Sequence, residues 1–340
     1  MSIQIGKIKL RNRVLLAPMS GVTDEAFRMV AAHCGAGLVV SEMVASEELV
    51  RQRPDMVRRA KGSANLSPFV IQLAGREAKW MSEGAKLAED LGADIIDINM
   101  GCPARQVTGG LSGSALMREP EHALSLVAAT VNATSKPVTL KMRLGWDHAS
   151  LTAPEIARRA EELGVQLITI HGRTRCQFYT GRADWKAIRA VREAITVPLV
   201  ANGDGKTAAD AREMLRLSGA DAVMLGRACY GRPWLPGAIA EELEPGCGKS
   251  APTLAEQRDL TLWQQDATLE LYGSRLGNKV FRKHFGWTAA VLEQAGFMSL
   301  NELSDLRAQV LSNPDNAKVR TAIIEVFDRA SQRPIHLEAA

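Results

Sequence analysis

The chain has 340 residues, 46% of them apolar, and a formal net charge of +4. That length exceeds one ordinary domain and suits a barrel of about 250 residues with a smaller unit attached, while the mild charge permits a polyanionic partner without requiring one. No run of eighteen apolar residues occurs and the start, Met1-Ser2-Ile3-Gln4, lacks a basic and apolar leader, so no membrane association is expected and a cytoplasmic protein is. Five scattered cysteines (34, 102, 176, 229 and 247) form no Cys-x-x-Cys pair, which excludes the common zinc spacings and a disulfide framework; no metal is expected.

Eight apolar, strand-like runs follow in order: Val14–Met19, Leu38–Met43, Phe69–Leu73, Ile95–Asn99, Val138–Met142, Leu167–His171, Leu199–Asn202 and Ala222–Leu225. Helix-compatible segments lie between them, among them Glu77–Leu91, Glu121–Thr134, Pro154–Leu163, Asp184–Ala194 and Ala208–Ser218. Continuous apolar strands alternating with helices imply a parallel sheet covered on its outer face. Eight such units predict an α/β fold, a closed (β/α)8 TIM barrel. Pro68, Pro137 and Pro198 precede odd-numbered strands and Gly92, Gly164 and Gly219 even ones, a faint two-unit echo.

After Leu243 the texture changes. The proline- and glycine-rich stretch 244–252 reads as a linker, and from Thr253 only helical patterns remain: Leu254–Tyr272, Lys279–Gln294, Ser299–Val310 and Ala317–Arg329. Asn278 and Ser299 are candidate N-caps, and Asn313-Pro314 opens a turn. The expected organisation is a catalytic barrel over 1–243, a linker over 244–252, a small all-helical domain over 253–332 and a tail over 333–340.

In such a barrel the active site lies at the carboxyl ends of the strands. Those ends carry Pro18-Met19-Ser20, Gln72, Asn99 with Cys102, Lys141 with Arg143, His171 with Arg173, Asn202-Gly203-Asp204, and Gly226-Arg227. Free cysteine is usually a small buried hydrophobe. Cys102, however, stands just past a strand end on a turn pinned by Pro103, between Asn99 and the glycine-rich run 109–113, which reads as a mobile loop. Asp204 alone could be an N-cap and His171 a strand-end cap. Six or seven such groups at matching ends are hard to explain by packing.

Phosphates in these barrels commonly sit on the loops after strands seven and eight. Asn202-Gly203-Asp204-Gly205 and Gly226-Arg227 supply glycine backbone and a cation there, so a mononucleotide cofactor such as FMN is expected. Its ring would then cross the barrel mouth, meeting Lys141 at the N1/C2 edge, Gln72 at the pyrimidine edge, and Pro18, Met19 and Ser20. No Gly-x-Gly-x-x-Gly follows the first strand, which argues against a Rossmann site.

Taken in order, Ala17-Pro18-Met19, Asn99-Met100-Gly101-Cys102-Pro103, Leu140-Lys141-Met142-Arg143, His171-Gly172-Arg173-Thr174-Arg175, Asn202-Gly203-Asp204 and Gly226-Arg227 resemble the tRNA-dihydrouridine synthases, most of all their bacterial B-type branch. The resemblance is strong over about residues 4–243 and weaker beyond, centred on Phe281-Arg282-Lys283-His284-Phe285-Gly286-Trp287. It implies FMN as cofactor, NADPH or NADH as electron donor and tRNA as substrate. It also implies hydride transfer to C6 of a uracil, with Cys102 protonating C5 from the opposite face. Thiols are mostly protonated near neutral pH, which suits a proton donor. Gln72, Lys141, His171, Asn202, Gly203, Asp204, Gly226 and Arg227 match cofactor-holding positions, and Asn99 a uracil-holding one.

RNA gives a use to the strand-six loop, where Arg173, Arg175 and Arg182 surround Phe178 and Tyr179, and to Arg282 and Lys283 beside Lys279 in the helical unit. Arg51, Arg53, Arg58, Arg59 and Lys61 form a second basic cluster, equally readable as a solvated helix face. Residues 253–340 hold ten Lys or Arg against eleven Asp or Glu, so the helical unit is not basic overall. The target base must leave its stack to reach a barrel mouth. A monomer is expected. The alternative reading is an FMN barrel acting on a free pyrimidine or enone, similar to the dihydroorotate dehydrogenases. A flavin-free RNA-binding protein on a decayed barrel is a third.

Overall fold

The computed structural model describes residues 3–62, 66–104, 110–311 and 313–332; Gly109 and the tail 333–340 lie outside the described residues. A short hairpin, β1 (Gln4–Ile5) and β2 (Ile8–Lys9), precedes nine parallel strand segments. These are β3 (Val14–Leu16), β4 (Leu38–Val39), β5 (Met43–Ala45), β6 (Val70–Ala74), β7 (Ile95–Met100), β8 (Val138–Arg143), β9 (Val165–His171), β10 (Leu199–Asn202) and β11 (Ala222–Leu225). Their order is β4-β3-β11-β10-β9-β8-β7-β6-β5. The two ends of that row, β4 and β5, are consecutive pieces of one strand, with β4 paired to β3 and β5 to β6. The sheet therefore closes on itself as the expected eight-unit barrel, its second strand interrupted at residues 40–42.

Alternation along each strand sorts the side chains. One set, including Ile96, Ile98, Leu140, Ile168 and Ala201, faces the helices and joins the main apolar core. The other set points inward. At the amino-terminal end Leu15, Leu38, Val70, Ile95, Leu167, Val200 and Ala222 pack together, and the hairpin's Ile3, Ile5 and Leu10 close that end. At the carboxyl end the inward positions turn polar: Gln72, Asp97, Asn99, Thr139 and Asn202 are all buried. The barrel is thus plugged with hydrocarbon below and lined with chemistry above.

The covering helices are α1 (Glu25–His33), α2 (Ser46–Val50), α3 (Pro54–Ala60), α4 (Ala78–Asp90), α5 (Pro120–Val131), α6 (Ala153–Glu162), α7 (Arg189–Arg192), α8 (Ala208–Ser218) and α9 (Leu235–Leu243). Helix α8 shows how locally the sequence dictates its ends. Thr207 and Asp210 form a capping box, and Gly219 terminates it at φ +70°. The helix expected over Asp184–Ala194 is largely absent. Trp185 Nε1 donates to the Gly203 carbonyl at 2.7 Å and the Asp184 amide to Gly172 at 2.6 Å, so residues 183–187 run as a loop and only α7 winds.

Four further helices follow: α10 (Leu254–Tyr272), α11 (Ser274–Gln294), α12 (Leu300–Leu311) and α13 (Asn316–Ser331). Phe281, Phe285, Leu303, Val319, Ile323 and Phe327 form their own core. Ser299 caps as expected, its hydroxyl receiving the Glu302 amide at 3.3 Å. Asn278 does not; α11 begins a turn earlier, after Gly273 at φ +75°, and Asn278 is buried within it, donating to the Asn313 carbonyl. The helices lean on the barrel. Tyr230 stacks on Trp287 with centroids 4.2 Å apart, and the Lys283 ammonium donates to the Gly21 carbonyl.

Candidate active site

A cavity of about 1770 Å³ opens at the carboxyl end of the barrel, and Gln294 at the end of α11 reaches its lining. It brings together Pro18, Met19, Ser20, Gln72, Asn99, Cys102, Lys141, His171, Arg173, Asn202, Gly203, Asp204, Gly226 and Arg227, all singled out in the sequence. Arg175, Arg282 and Lys283 do not line it. Arg175 lies between Trp146 and Phe178, 4.6 Å from each ring. Arg282 donates to the Asn313 carbonyl at 2.9 Å inside the helical unit, and Lys283 is engaged with Gly21.

Cys102 stands two residues past β7 and is partly exposed. Its loop is held from three sides. Its amide donates to Asn99 Oδ1 at 3.1 Å, and its carbonyl receives the Ser114 amide and hydroxyl at 3.0 and 2.8 Å. The preceding Gly101 carbonyl receives Arg143 Nε at 2.8 Å. Ser114 belongs to a 3-10 turn over Gly113–Arg118, so the glycine-rich run ends in ordered structure there. Arg143, which lies opposite His171 across the sheet, also donates to the Thr174 and Phe178 carbonyls and so ties the Cys102 loop to the loop after β9.

Lys141 sits beside Asn99 in register, and its ammonium donates to Asn202 Oδ1 at 3.1 Å. Asn202 gives its own amide to the Met224 carbonyl, which fixes which end faces Lys141. Burial first, then the neighbouring Arg143, lowers the Lys141 ammonium to about 8. Its hydrogen-bond partner is a neutral carboxamide, while the nearby Asp97 carboxylate pulls the other way. His171 is pushed well below its usual range by burial and by Lys141, Arg143 and Arg173, so it is neutral at physiological pH. Arg173 Nη1 lies 3.3 Å from His171 Nε2. A guanidinium can only donate, so Nε2 carries the lone pair and Nδ1 the proton.

Arg173 was expected to reach RNA, yet it is buried and forked onto Asp204, with Nη1–Oδ1 at 2.9 Å and Nη2–Oδ2 at 2.6 Å. Burial pushes the Asp204 carboxyl up, but Arg173, the Ala183 amide and Arg227 outweigh it and hold the group below its ordinary value. Arg227 is half exposed, 3.3 Å from Asp204 and 4.9 Å from the Tyr179 ring. Gly203 has φ +122°, and a Cβ there would lie 2.7 Å from Ala183 and 3.0 Å from His171. Only glycine fits.

Sequence reasoning missed Asp97 and Thr139, both buried inside the barrel below Asn99 and Lys141. The signal was present: Asp97 shares the two-residue period of Asn99 and must point inward with it. Among the described residues no group of three or more His, Cys, Asp or Glu could hold a metal, and no helix is long and apolar enough to cross a membrane.

Among solved structures, morphinone reductase in complex with tetrahydroNAD matches with a TM-score of 0.52 at 14% identity, covering 72% of this chain and 90% of that one. Histamine dehydrogenase from Rhizobium sp. 4-9 matches with a TM-score of 0.52 at 16% identity, covering 71% and 47%. At such identities these support the barrel fold alone. A probable tRNA-dihydrouridine synthase of Rhizobium leguminosarum bv. phaseoli is 56% identical over 310 residues, covering 89% of this chain and 95% of its own. A Rhodobacter capsulatus protein described in the same words is 51% identical, covering 96% and 98%. The tRNA-dihydrouridine synthase B of Xanthomonas axonopodis pv. citri is 43% identical, covering 84% and 86%. Residues 15–324 match the family described as Dihydrouridine synthase (Dus), and the chain belongs to that family.

Proposed function

We propose that this chain reduces uridines of tRNA to 5,6-dihydrouridine, using FMN that is re-reduced by NADPH or NADH. The observation that carries the reading is that Cys102 and Lys141 line one cavity, a partly exposed thiol beside a partly buried ammonium. The residues present fit FMN. Lys141 is a partly buried cation whose hydrogen bond goes to a carboxamide, and its charge suits an anionic ring. The glycine loops at Gly203 and Gly226, with Arg227 beside them, suit a phosphate. Gln72, Pro18, Met19 and Ser20 border the remaining space.

FMN held there would supply the hydride that adds to C6 of the uracil. Asn99 holds the base edge, Cys102 gives its proton to C5, and neutral His171 orients ring atoms by its Nδ1 hydrogen. His171 lacks a second proton near neutrality, which favours Cys102 as the acid. The exposed Tyr179 at the rim, with Arg175 beyond it, meets the RNA. The barrel over 1–243 performs the chemistry, and the helices over 253–332 give the cavity its outer wall for tRNA. That wall and the barrel come from one chain, so the site needs no second subunit, and we propose a cytoplasmic monomer. A small free substrate would need no such wall, which disfavours the dihydroorotate-dehydrogenase-like alternative.

The test is direct. Purified protein is examined for flavin absorbance and incubated with reduced nicotinamide and an unmodified tRNA transcript. Dihydrouridine at defined positions is the expected product; a flavin-loaded protein that leaves every uridine intact overturns the reading.

A further inference from the structure

Four buried side chains of the barrel interior form a directed chain that ends on the loop of Cys102. Gln72, Asp97 and Thr139 are adjacent in register across β6, β7 and β8. Thr139 Oγ1 lies 2.6 Å from Asp97 Oδ1, and Gln72 Nε2 donates to Asp97 Oδ2 at 2.7 Å. Gln72 Oε1 receives Asn99 Nδ2 at 2.8 Å, and Asn99 Oδ1 receives the amides of Gly101 and Cys102 at 3.2 and 3.1 Å. Each carboxamide has one end that accepts and one that donates, so the orientation of one dictates the next.

The end of this chain at the Cys102 loop is fixed. Backbone amides can only donate, so Asn99 must present oxygen to them. Asn99 then offers nitrogen to Gln72, Gln72 must answer with oxygen, and its nitrogen is left to find an acceptor. Asp97 is that acceptor. We infer that Asp97 is a positioning residue: it sets the polarity of the Gln72 and Asn99 carboxamides and through them holds the backbone that carries Cys102. Thr139 completes the device because a hydroxyl can give or take a hydrogen bond, so it accommodates whatever the far oxygen of residue 97 presents.

This predicts a non-additive pattern that packing alone would not produce. Asp97→Asn can keep its oxygen toward Gln72 and turn its amide nitrogen to the Thr139 hydroxyl, so the chain survives. Thr139→Val removes a donor, but Asp97 still accepts from Gln72, so the chain survives again. In the double variant the new nitrogen has no acceptor at position 139. It either stays buried and unpaired or turns to Gln72 and reverses both carboxamides against the fixed amides.

The inference rests on the proposed role of Cys102, so two readouts are used. One is single-turnover formation of dihydrouridine on an unmodified tRNA transcript by the flavin-loaded protein. The other is the rate of Cys102 alkylation by iodoacetamide, followed by peptide mass spectrometry, which does not depend on any activity. Each single variant is expected within about threefold of the parent in both. The double variant, with circular dichroism unchanged, is expected to lose tenfold or more in transfer and to shift Cys102 alkylation at least threefold. Additive effects, or an unchanged alkylation rate, overturn the inference. If alkylation shifts while Cys102→Ala still transfers at the parent rate, the positioning stands and the acid assignment is what fails.

Discussion

Arg173 and Asp204 meet in a two-pronged ion pair that stitches the loop after β9 to the loop after β10. The same guanidinium is buried; it also donates to the Thr180 and Gly181 carbonyls and lies 3.3 Å from His171 Nε2. Arg173 thus shapes the rim on which Tyr179 and Arg227 stand and is spent before any RNA arrives. Removing it leaves a carboxylate that is only one-quarter exposed with the Ala183 amide and the more distant Arg227 alone. Breaking a buried pair costs about 3–5 kcal/mol, and the lower end suits this partly exposed partner.

Arg173→Ala should therefore lower unfolding free energy in urea by about 3 kcal/mol. The salt dependence of tRNA binding should keep its slope, since no phosphate contact is lost. Because Asp204 is held below its ordinary value, the pair's contribution is present above the usual carboxylate range and disappears as pH falls through the folded value. A stable variant with a flattened salt slope would instead place Arg173 on the RNA.

Lys141 gives a prediction in pH. Its ammonium is lowered to about 8, so an anion held by it loses its partner as pH rises through that region. FMN affinity of the flavin-free chain should fall between pH 7 and 9. Lys141→Arg, which keeps its charge there, should flatten the profile, and Lys141→Met should bind weakly at every pH. Equilibrium fluorescence titration of FMN reads all three. An unchanged profile in Lys141→Arg would assign the pH dependence elsewhere.

The close approach of the helical unit makes a third. Gly231 has φ +69°, and a Cβ on it would lie 2.5 Å from the Trp287 backbone. Gly231→Ala must push α11 outward or distort the turn. Flavin reduction by nicotinamide should stay within about twofold, while transfer to tRNA falls by tenfold or more, on the order of 1.4 kcal/mol of barrier. Equal loss in both half-reactions would mean that the barrel itself had been damaged.

Much of this architecture was legible in the sequence because buried parallel strands are apolar on both faces and cannot hide. The strand-end residues were legible for the same reason, since a barrel fixes where strand ends must be. What stayed hidden were pairings between distant segments. Nothing local marks Arg173 as the partner of Asp204, or Arg282 as the donor to Asn313. Residues 184–194 have helical composition, but Trp185 is drawn to Gly203, a contact no local pattern encodes. Asp97 was overlooked because a charged residue in a strand reads as the solvent side, whereas in a closed barrel the inward side at the carboxyl end is the polar one.

The central claim is that Cys102 supplies the proton to C5. The measurement is anaerobic: Cys102→Ala is reduced with nicotinamide, unmodified tRNA is added, and flavin reoxidation is followed alongside dihydrouridine formation. Flavin reduction should proceed at nearly the parent rate, since that half-reaction needs no acid for uracil. Transfer to tRNA should slow by ~10²–10⁴-fold, the usual cost of losing a positioned general acid. A variant that reoxidises with tRNA at the parent rate while making dihydrouridine would contradict the account.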